Sequence, residues 1–400
     1  MRESPWAAPL GPAVEAAASR AVALRHELHA WPELAFEERR TAALVAERLR
    51  ALGALVREGI GGTGVVGLIQ GASPGPVVAL RADMDALPIE EQTGAPYRSR
   101  IDGKMHACGH DGHTALLLGV AEVLARLRRE LPGTVKLLFQ PAEERGGGAG
   151  RLVAAGVLRD PDVAVIVALH AWPDLHAGQI GLRAGPILAS VDTFRIAVQG
   201  SGGHGAHPDR CVDPVLVAAR VVDALQSIVS REVNPLAPAV VTVGSIQGGT
   251  AANIIPDTVK LEGTVRTLNE ETRRLVREAL IRLVHGVAAA HGATAEVEYR
   301  ADLPVTVNDA EVTAFLRTLA GEVLGAPNVV EIPEPSLGGE DFSLYLQHVP
   351  GAMVRLGVGP GRPGLHSSGF DFNDEALEPG MLLLAMVALR YATNKSVTAP

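Results

Sequence analysis

TVKLLFQPAEERGGGAGRLVAAGVLRDPDVAVIVALH, residues 134–170, holds two short apolar runs, TVKLLFQ (134–140) and VAVIVAL (163–169), separated by a glycine-rich helix start from Gly146 to Gly150. Short apolar runs bounded by glycines and prolines read as strands buried on both faces. ALVREG (54–59), GVVGLIQG (64–71) and PVVALRAD (76–83) read the same way, and a helical pattern follows Asp111 through TALLLGVAEVLARLRREL. Between Pro12 and Gly53 apolar residues recur at helical spacing, broken near Trp31-Pro32, which predicts two amphipathic helices. After Pro304 come a helix over 310–323, a helix following Gly339, the strand AMVRLGVG (352–359) and a terminal helix from Asp374. Strands alternating with helices need crossover connections, so these segments predict an α/β domain with a mostly parallel sheet and helices on both faces.

From Val191 the pattern changes. TFRIAVQG (193–200), VVTVGSIQG (240–248), TVKLEGTVRTL (258–268) and TAEVEYRA (294–301) read as strands. Asp213-Pro214 offers an N-cap and an N1 proline for one helix, and Asn269 caps a second running through ETRRLVREALIRLVHGVAAAHG. The order βαββαβ is that of a ferredoxin-like α+β unit. The predicted organisation is a split domain, 1–189 with 304–400, interrupted by an inserted domain over 190–303.

With 400 residues, two domains are expected, each able to bury a core. Hydrophobic residues make up 47% and charged residues 20%, far from the signature of a disordered chain. The net charge, 36 − 45 = −9, supplies no positive field for phosphate backbones, so nucleic acid is excluded as a partner. No apolar run approaches the ~20 residues of a membrane span, and MRESPWAAPLGP lacks the regions of a signal peptide, so a soluble, cytoplasmic protein is expected. Two cysteines, Cys108 and Cys211, do not make a disulfide framework.

In open α/β sheets, ligands bind beyond the carboxyl ends of the strands. There stand Asp83 and Asp85 after the run 76–83, Glu143 and Glu144 after 134–140, His170 after 163–169, and His366 beyond 352–359. Cys108, His110 and His113 precede the helix near Asp111. Each has an ordinary reading: a buried thiol, acids at a helix N-terminus, a surface imidazole, a turn cap. Four such coincidences on one rim are less probable than one metal site. Nitrogen and carboxylate donors with one thiolate suit Zn²⁺, Mn²⁺, Co²⁺ or Ni²⁺ and not an iron–sulfur cluster. The donors outnumber the four of a structural zinc site, which fits two divalent ions sharing a ligand and a bridging water, roughly 3.5–4 Å apart, a centre suited to hydrolysis.

LRADMDALP (80–88), HACGHDGH (106–113), FQPAEE (139–144), LHAWP (169–173), GGHGAHP (202–208), ANIIPD (252–257), GGEDFS (338–343) and LHS (365–367), taken in order, resemble the M20 metallopeptidase family in its aminoacylase, hippurate-hydrolase and auxin-conjugate-hydrolase branch. The resemblance covers nearly the whole chain. It implies a zinc-peptidase-like catalytic domain and a ferredoxin-like lid that dimerises. It makes Cys108, His110, Glu144, His170 and His366 the metal ligands with Cys108 bridging, Glu143 the general base and Asp85 a group that orients a ligand. Spacing alone does not say which glutamate does which job. Asp83 matches a position where other branches place a metal-binding histidine. His204 matches a histidine that reaches across the dimer to the substrate carbonyl oxygen, and Asn253 and Arg266 match the region that grips a free carboxylate. Arg266 reads equally as an outward surface charge. Asp209 follows Pro208 where the family commonly has histidine, which leaves His207 without a matched role, as are Cys211 and His113, the latter expected to support its loop.

The expected protein is therefore a cytoplasmic, homodimeric or larger, metal-dependent amidohydrolase that cleaves N-acyl-L-amino acids to a carboxylic acid and an amino acid. N-acetyl-diamino acid deacetylation or carboxypeptidase action on short peptides would use the same motifs. A non-catalytic metal or small-molecule binder is the alternative of another class, and it has no use for a second glutamate beside the ligand.

Overall fold

The computed structural model describes residues 7–393, so the first part of the segment read for a signal peptide lies outside the described residues. No helix among the described residues is long and apolar enough to cross a membrane. The described residues form two compact units, one taking those up to Gly185 with Val307–Glu334 and those from Asp341 onward, the other Pro186–Thr306 with Pro335–Glu340.

The first unit is built on an eight-stranded sheet in the order Leu55–Ile60, Gly64–Gln70, Pro132–Gln140, Ser73–Asp83, Val163–Trp172, Gly351–Gly357, Ile180–Leu182 and Val329–Glu331. Its four central strands, from Pro132–Gln140 to Gly351–Gly357, run parallel to one another. They are buried almost throughout, as their continuous apolar runs require. Antiparallel pairing is confined to the flanks. Leu55–Ile60 departs from the buried strand expected of it: it is the sheet's edge, mostly exposed, and Leu55 is 69% exposed. The helix expected after Gly339 is the single turn Ser343–Leu346, since Pro350 disfavours helical backbone just before it and Gly351 already starts a strand.

The second unit is a four-stranded antiparallel sheet in the order Ala239–Gly248, Thr258–Thr267, Ser190–Gln199, Thr294–Leu303. Burial alternates along Ser190–Gln199, the sign of a sheet covered on one face. The covering helices are Pro214–Ser227 and Glu270–Ala290, whose Val217, Val221, Leu225, Val276 and Leu280 pack with Phe194, Ile196, Leu261 and Val265. Both start where their caps direct: Asp213 accepts the amide of Val215 at 2.9 Å, and Asn269 that of Thr272 at 2.8 Å.

Helix Ala7–Ala30 packs on helix His110–Arg126 in the first unit, and a buried ionic network joins them. Fully buried Arg25 pairs with Asp111 and Asp371 at 3.2 Å each and with Asp374. His29 Nδ1 lies 2.8 Å from the same Asp111 and Nε2 3.3 Å from Glu91. Burial pushes the His29 imidazole down, but the two carboxylates outweigh it and raise it from 6.5 to about 9. A raised folded-state pKa gives stability that is complete below the unfolded value and is lost as pH rises through the folded one. Wild-type protein should therefore lose up to about 3 kcal/mol between pH 6.5 and 9.5 through this group. A His29→Gln variant should be less stable at pH 6 and converge on wild type above pH 9. Parallel denaturation profiles for the two proteins over that range would contradict the assignment.

Candidate metal centre

Because the four central strands share a direction, their carboxyl ends fall on one rim, with Asp83 opposite Gln140 and Arg355 opposite His170 in register. Cys108 and His110 reach the same rim from the start of helix His110–Arg126, whose N-cap Gly109 adopts a left-handed φ of 86°. Cys108 Sγ lies 3.6 Å from His170 Nε2. Possible ligand atoms come within 4.8 Å of one another in the groups Cys108, His110, His170 and Cys108, Glu144, His366, and again in His110, Glu143, Glu144. The sulfur is thus common to two three-donor groups.

Neighbouring groups aim each donor. His110 Nδ1 is 2.9 Å from the Asp85 carbonyl oxygen, which leaves Nε2 to face the donors. That Nε2 is buried and makes no hydrogen bond, standing 3.7 Å from Asp83 and 4.0 Å from Glu144. Glu144 Oε1 is likewise without a hydrogen bond, 3.2 Å from His366 Nε2 but outside hydrogen-bond geometry. His170 Nδ1 donates to the Ala171 carbonyl oxygen at 2.9 Å, again freeing Nε2. Buried polar atoms without partners cost about 1–3 kcal/mol each, so two of them pointing into one cluster mark a place for a cation.

The electrostatics agree with that reading. Burial pushes the Cys108 thiol up, so without a cation it is a neutral thiol. Burial, helped by the charge of His113, holds His170 down at about 3, leaving it a neutral donor. The neighbouring Cys108 and Glu144 raise His366 to about 10. Burial would raise Glu144, but the close contact of His366 and the charge of His110 lower it. A cation would replace these imidazolium charges as the partner of the acids.

The backbone carrying Glu143 and Glu144 is held as firmly. Asp85 Oδ1 accepts the amide of Glu143 at 3.0 Å and Oδ2 that of Glu144 at 3.1 Å. Ala142, just before them, has φ 53°, and His366 has φ 63°; both sit in a left-handed region that costs a residue with a side chain roughly 1–2 kcal/mol. A Cβ at Gly148 would stand 1.6 Å from the Pro141 carbonyl oxygen, so only glycine lets the chain fold back on this turn.

Asp83 is engaged elsewhere. Oδ2 accepts from Arg81 Nη1 and Oδ1 from His113 Nδ1, each at 2.6 Å. His113 Nε2 then accepts the Ala171 amide at 2.9 Å, tying the strand end that bears His170 to the helix that bears His110. Asp341 accepts from Arg81 at 3.2 Å, Gln140 at 2.7 Å and the Ala149 amide at 3.0 Å. Its motif, GGEDFS, is visible in the sequence, but the far-apart partners that define its job are not.

The second unit brings His204 and Asn253 together. Gly203–His204 pairs with Ile254–Ile255, and the Asn253 carbonyl accepts the Gly205 amide at 2.9 Å. His204 is exposed, and its Nδ1 accepts the Ala206 amide at 3.0 Å, which leaves Nε2 as the protonated nitrogen. Arg266 is half-buried in strand Thr258–Thr267, and burial lowers its pKa despite nearby Asp192. A Cβ at Gly339 would stand 2.1 Å from Val191 Cγ2 and 2.9 Å from Arg266 Nη1, so glycine there lets the chain pass close to both side chains. Cys211 is a half-exposed thiol whose Sγ lies 3.6 Å from the His207 carbonyl oxygen.

The sequence matches the model of peptidase family M20/M25/M40 over residues 79–390. It is 43% identical to N-acetyl-L-cysteine deacetylase of Bacillus subtilis over 89% of this chain and 84% of that protein. It is 40% identical to thermostable carboxypeptidase 1 of Saccharolobus solfataricus over 93% of this chain and 95% of that one. The crystal structure of a Bacillus subtilis protein described as a dinuclear metal binding peptidase from the M20 family superposes with a TM-score of 0.82 at 38% identity, covering 95% of this chain and 99% of that one.

Asp85→Asn would turn a donor group toward one of the two amides that the carboxylate now accepts. Cation affinity or turnover should fall about 10- to 100-fold with the fold retained by circular dichroism. Wild-type values for both would show that the turn holds its place without the carboxylate.

Proposed function

The chain belongs to peptidase family M20/M25/M40, and on that premise we propose that it hydrolyses the amide bond of N-acyl-L-amino acids, releasing a carboxylic acid and an amino acid. Two divalent ions are the proposed cofactor; Cys108, His110 and His170 would hold one, and Cys108, Glu144 and His366 the other. The observation that carries this is the pair of buried atoms without hydrogen bonds, His110 Nε2 and Glu144 Oε1, flanking that sulfur. The donor mix fits Zn²⁺, Mn²⁺, Co²⁺ or Ni²⁺. Divalent ions in such a centre supply a Lewis acid for the carbonyl and a water acidified to a pKa of about 7.

Glu143 is the proposed general base. Glu143 is 8% exposed, and one of its carboxylate oxygens lies within 4.8 Å of donor atoms of His110 and Glu144. It takes a proton from the attacking water and passes it to the leaving nitrogen, so that a C–O bond forms, the C–N bond breaks and no other reactant is needed. His204 supplies an N–H to the oxygen of the carbonyl under attack, in an assembly of two or more copies. That role is supported by its Nδ1, which is occupied and leaves Nε2–H to donate. Asn253 and Arg266 would hold the carboxylate of the amino-acid half, for which the planar fork of a guanidinium is suited.

The same centre would serve a short-peptide carboxypeptidase, and the similarity to a carboxypeptidase favours keeping that substrate in the test. Glu143→Gln should keep both ions by metal analysis and lose at least about 1,000-fold in turnover. Glu144→Ala should lose metal first. Turnover on matched N-acetyl, N-benzoyl and long-chain N-acyl amino acids and on dipeptides separates the substrates. A Glu143→Gln protein that is fully loaded and fully active would end the assignment of the base.

A further inference from the structure

The turn that presents Glu143 and Glu144 is gripped from a second side by a residue far away in the chain. Glu38 is fully buried, and its Oε1 accepts the backbone amide of Ala142 at 2.9 Å. The hydroxyl of Thr63 donates to its other oxygen. With Asp85 taking the next two amides, three successive N–H groups, 142 to 144, end on carboxylates from two separate segments. The Ala142 carbonyl is also used, accepting from Gly147 at 3.4 Å and Gly148 at 3.3 Å.

Ala142 is the left-handed residue of this turn, with φ 53°. A non-glycine residue stays in that region only where its surroundings over-determine it. Glu38 stands at the N-cap of helix Arg39–Ala51, yet its side chain makes no capping hydrogen bond there. A carboxylate of that kind normally serves its own helix. Here it is diverted to the turn 142–144, and the cost of burying it is offset by that contact.

We infer that Glu38 is a positioning residue for the reaction, holding Ala142 in its left-handed conformation so that the Glu143 and Glu144 side chains leave the turn in the required directions. The inference rests on the roles proposed above for those two glutamates. Without the acceptor, Ala142 relaxes toward right-handed backbone and both side chains rotate with it.

Two substitutions separate the hydrogen bond from mere filling of space. Glu38→Met keeps the volume and removes the acceptor. Glu38→Gln keeps one oxygen for the Ala142 amide and offers its NH₂ to the Thr63 oxygen, which accepts it. In the cation-free protein, amide hydrogen exchange over 142–144 should speed up about tenfold or more in Glu38→Met and return to near wild type in Glu38→Gln. In the loaded enzyme, kcat should fall about 10- to 100-fold in Glu38→Met with KM within about twofold, and recover in Glu38→Gln. Should Glu38→Met fail to fold, Glu38→Asp decides the matter, because it keeps the charge but shortens the reach, and faster exchange is expected. Wild-type exchange in the folded variant, or a Glu38→Gln protein as impaired as Glu38→Met, would overturn the inference. A wild-type enzyme inactive on amides would instead overturn the proposed function, and the exchange result would still decide the role of Glu38.

Discussion

Four neighbouring strands that point the same way determine where the chemistry of this protein can stand. Pro132–Gln140, Ser73–Asp83, Val163–Trp172 and Gly351–Gly357 are parallel, so everything the chain places just after a strand arrives at one rim. Parallel strands need crossovers, and the crossover helix His110–Arg126 starts at that rim and brings Cys108 and His110 with it. A thiol, imidazoles and carboxylates separated by as many as 258 positions, from Cys108 to His366, then share a few ångströms. In an antiparallel sheet the same residues would be divided between two opposite edges.

Bringing donors to a rim does not orient them. Orientation comes from a layer of carboxylates and carbonyls behind the donors, with Asp85 at His110 Nδ1 and at two backbone amides, Asp83 at His113, and Glu38 at Ala142. These acids face N–H groups of the protein, and Asp83 also stands 3.7 Å from His110 Nε2. The price of that order is visible in the backbone, where Ala142 and His366 are held at positive φ. At Ala142 such strain persists because hydrogen bonds fix both its amide and its carbonyl oxygen.

The fold was largely legible because its grammar is local: apolar runs between glycines and prolines became strands, and the caps Asp213 and Asn269 start helices where they stand. The exceptions have local physical causes as well. Leu55–Ile60 has the composition of a buried strand, but nothing in a six-residue window says that it will be the last in its sheet. The donor residues could be picked out because their types are unusual just after strands. Glu38 could not, since an acid before a helix has an ordinary explanation as a cap and only the tertiary structure shows the side chain turned toward Ala142. The same holds for Asp341, whose partners Arg81, Gln140 and Ala149 are all distant in sequence.

The central claim is that the sulfur of Cys108 is shared between two cations. Anomalous diffraction from crystals grown with Zn²⁺ or Mn²⁺ tests it directly. Two peaks per chain are predicted, roughly 3.5–4 Å apart and both within bonding distance of that sulfur, one beside His110 and His170 and the other beside Glu144 and His366. A single peak, or two peaks of which neither touches Cys108, would contradict it.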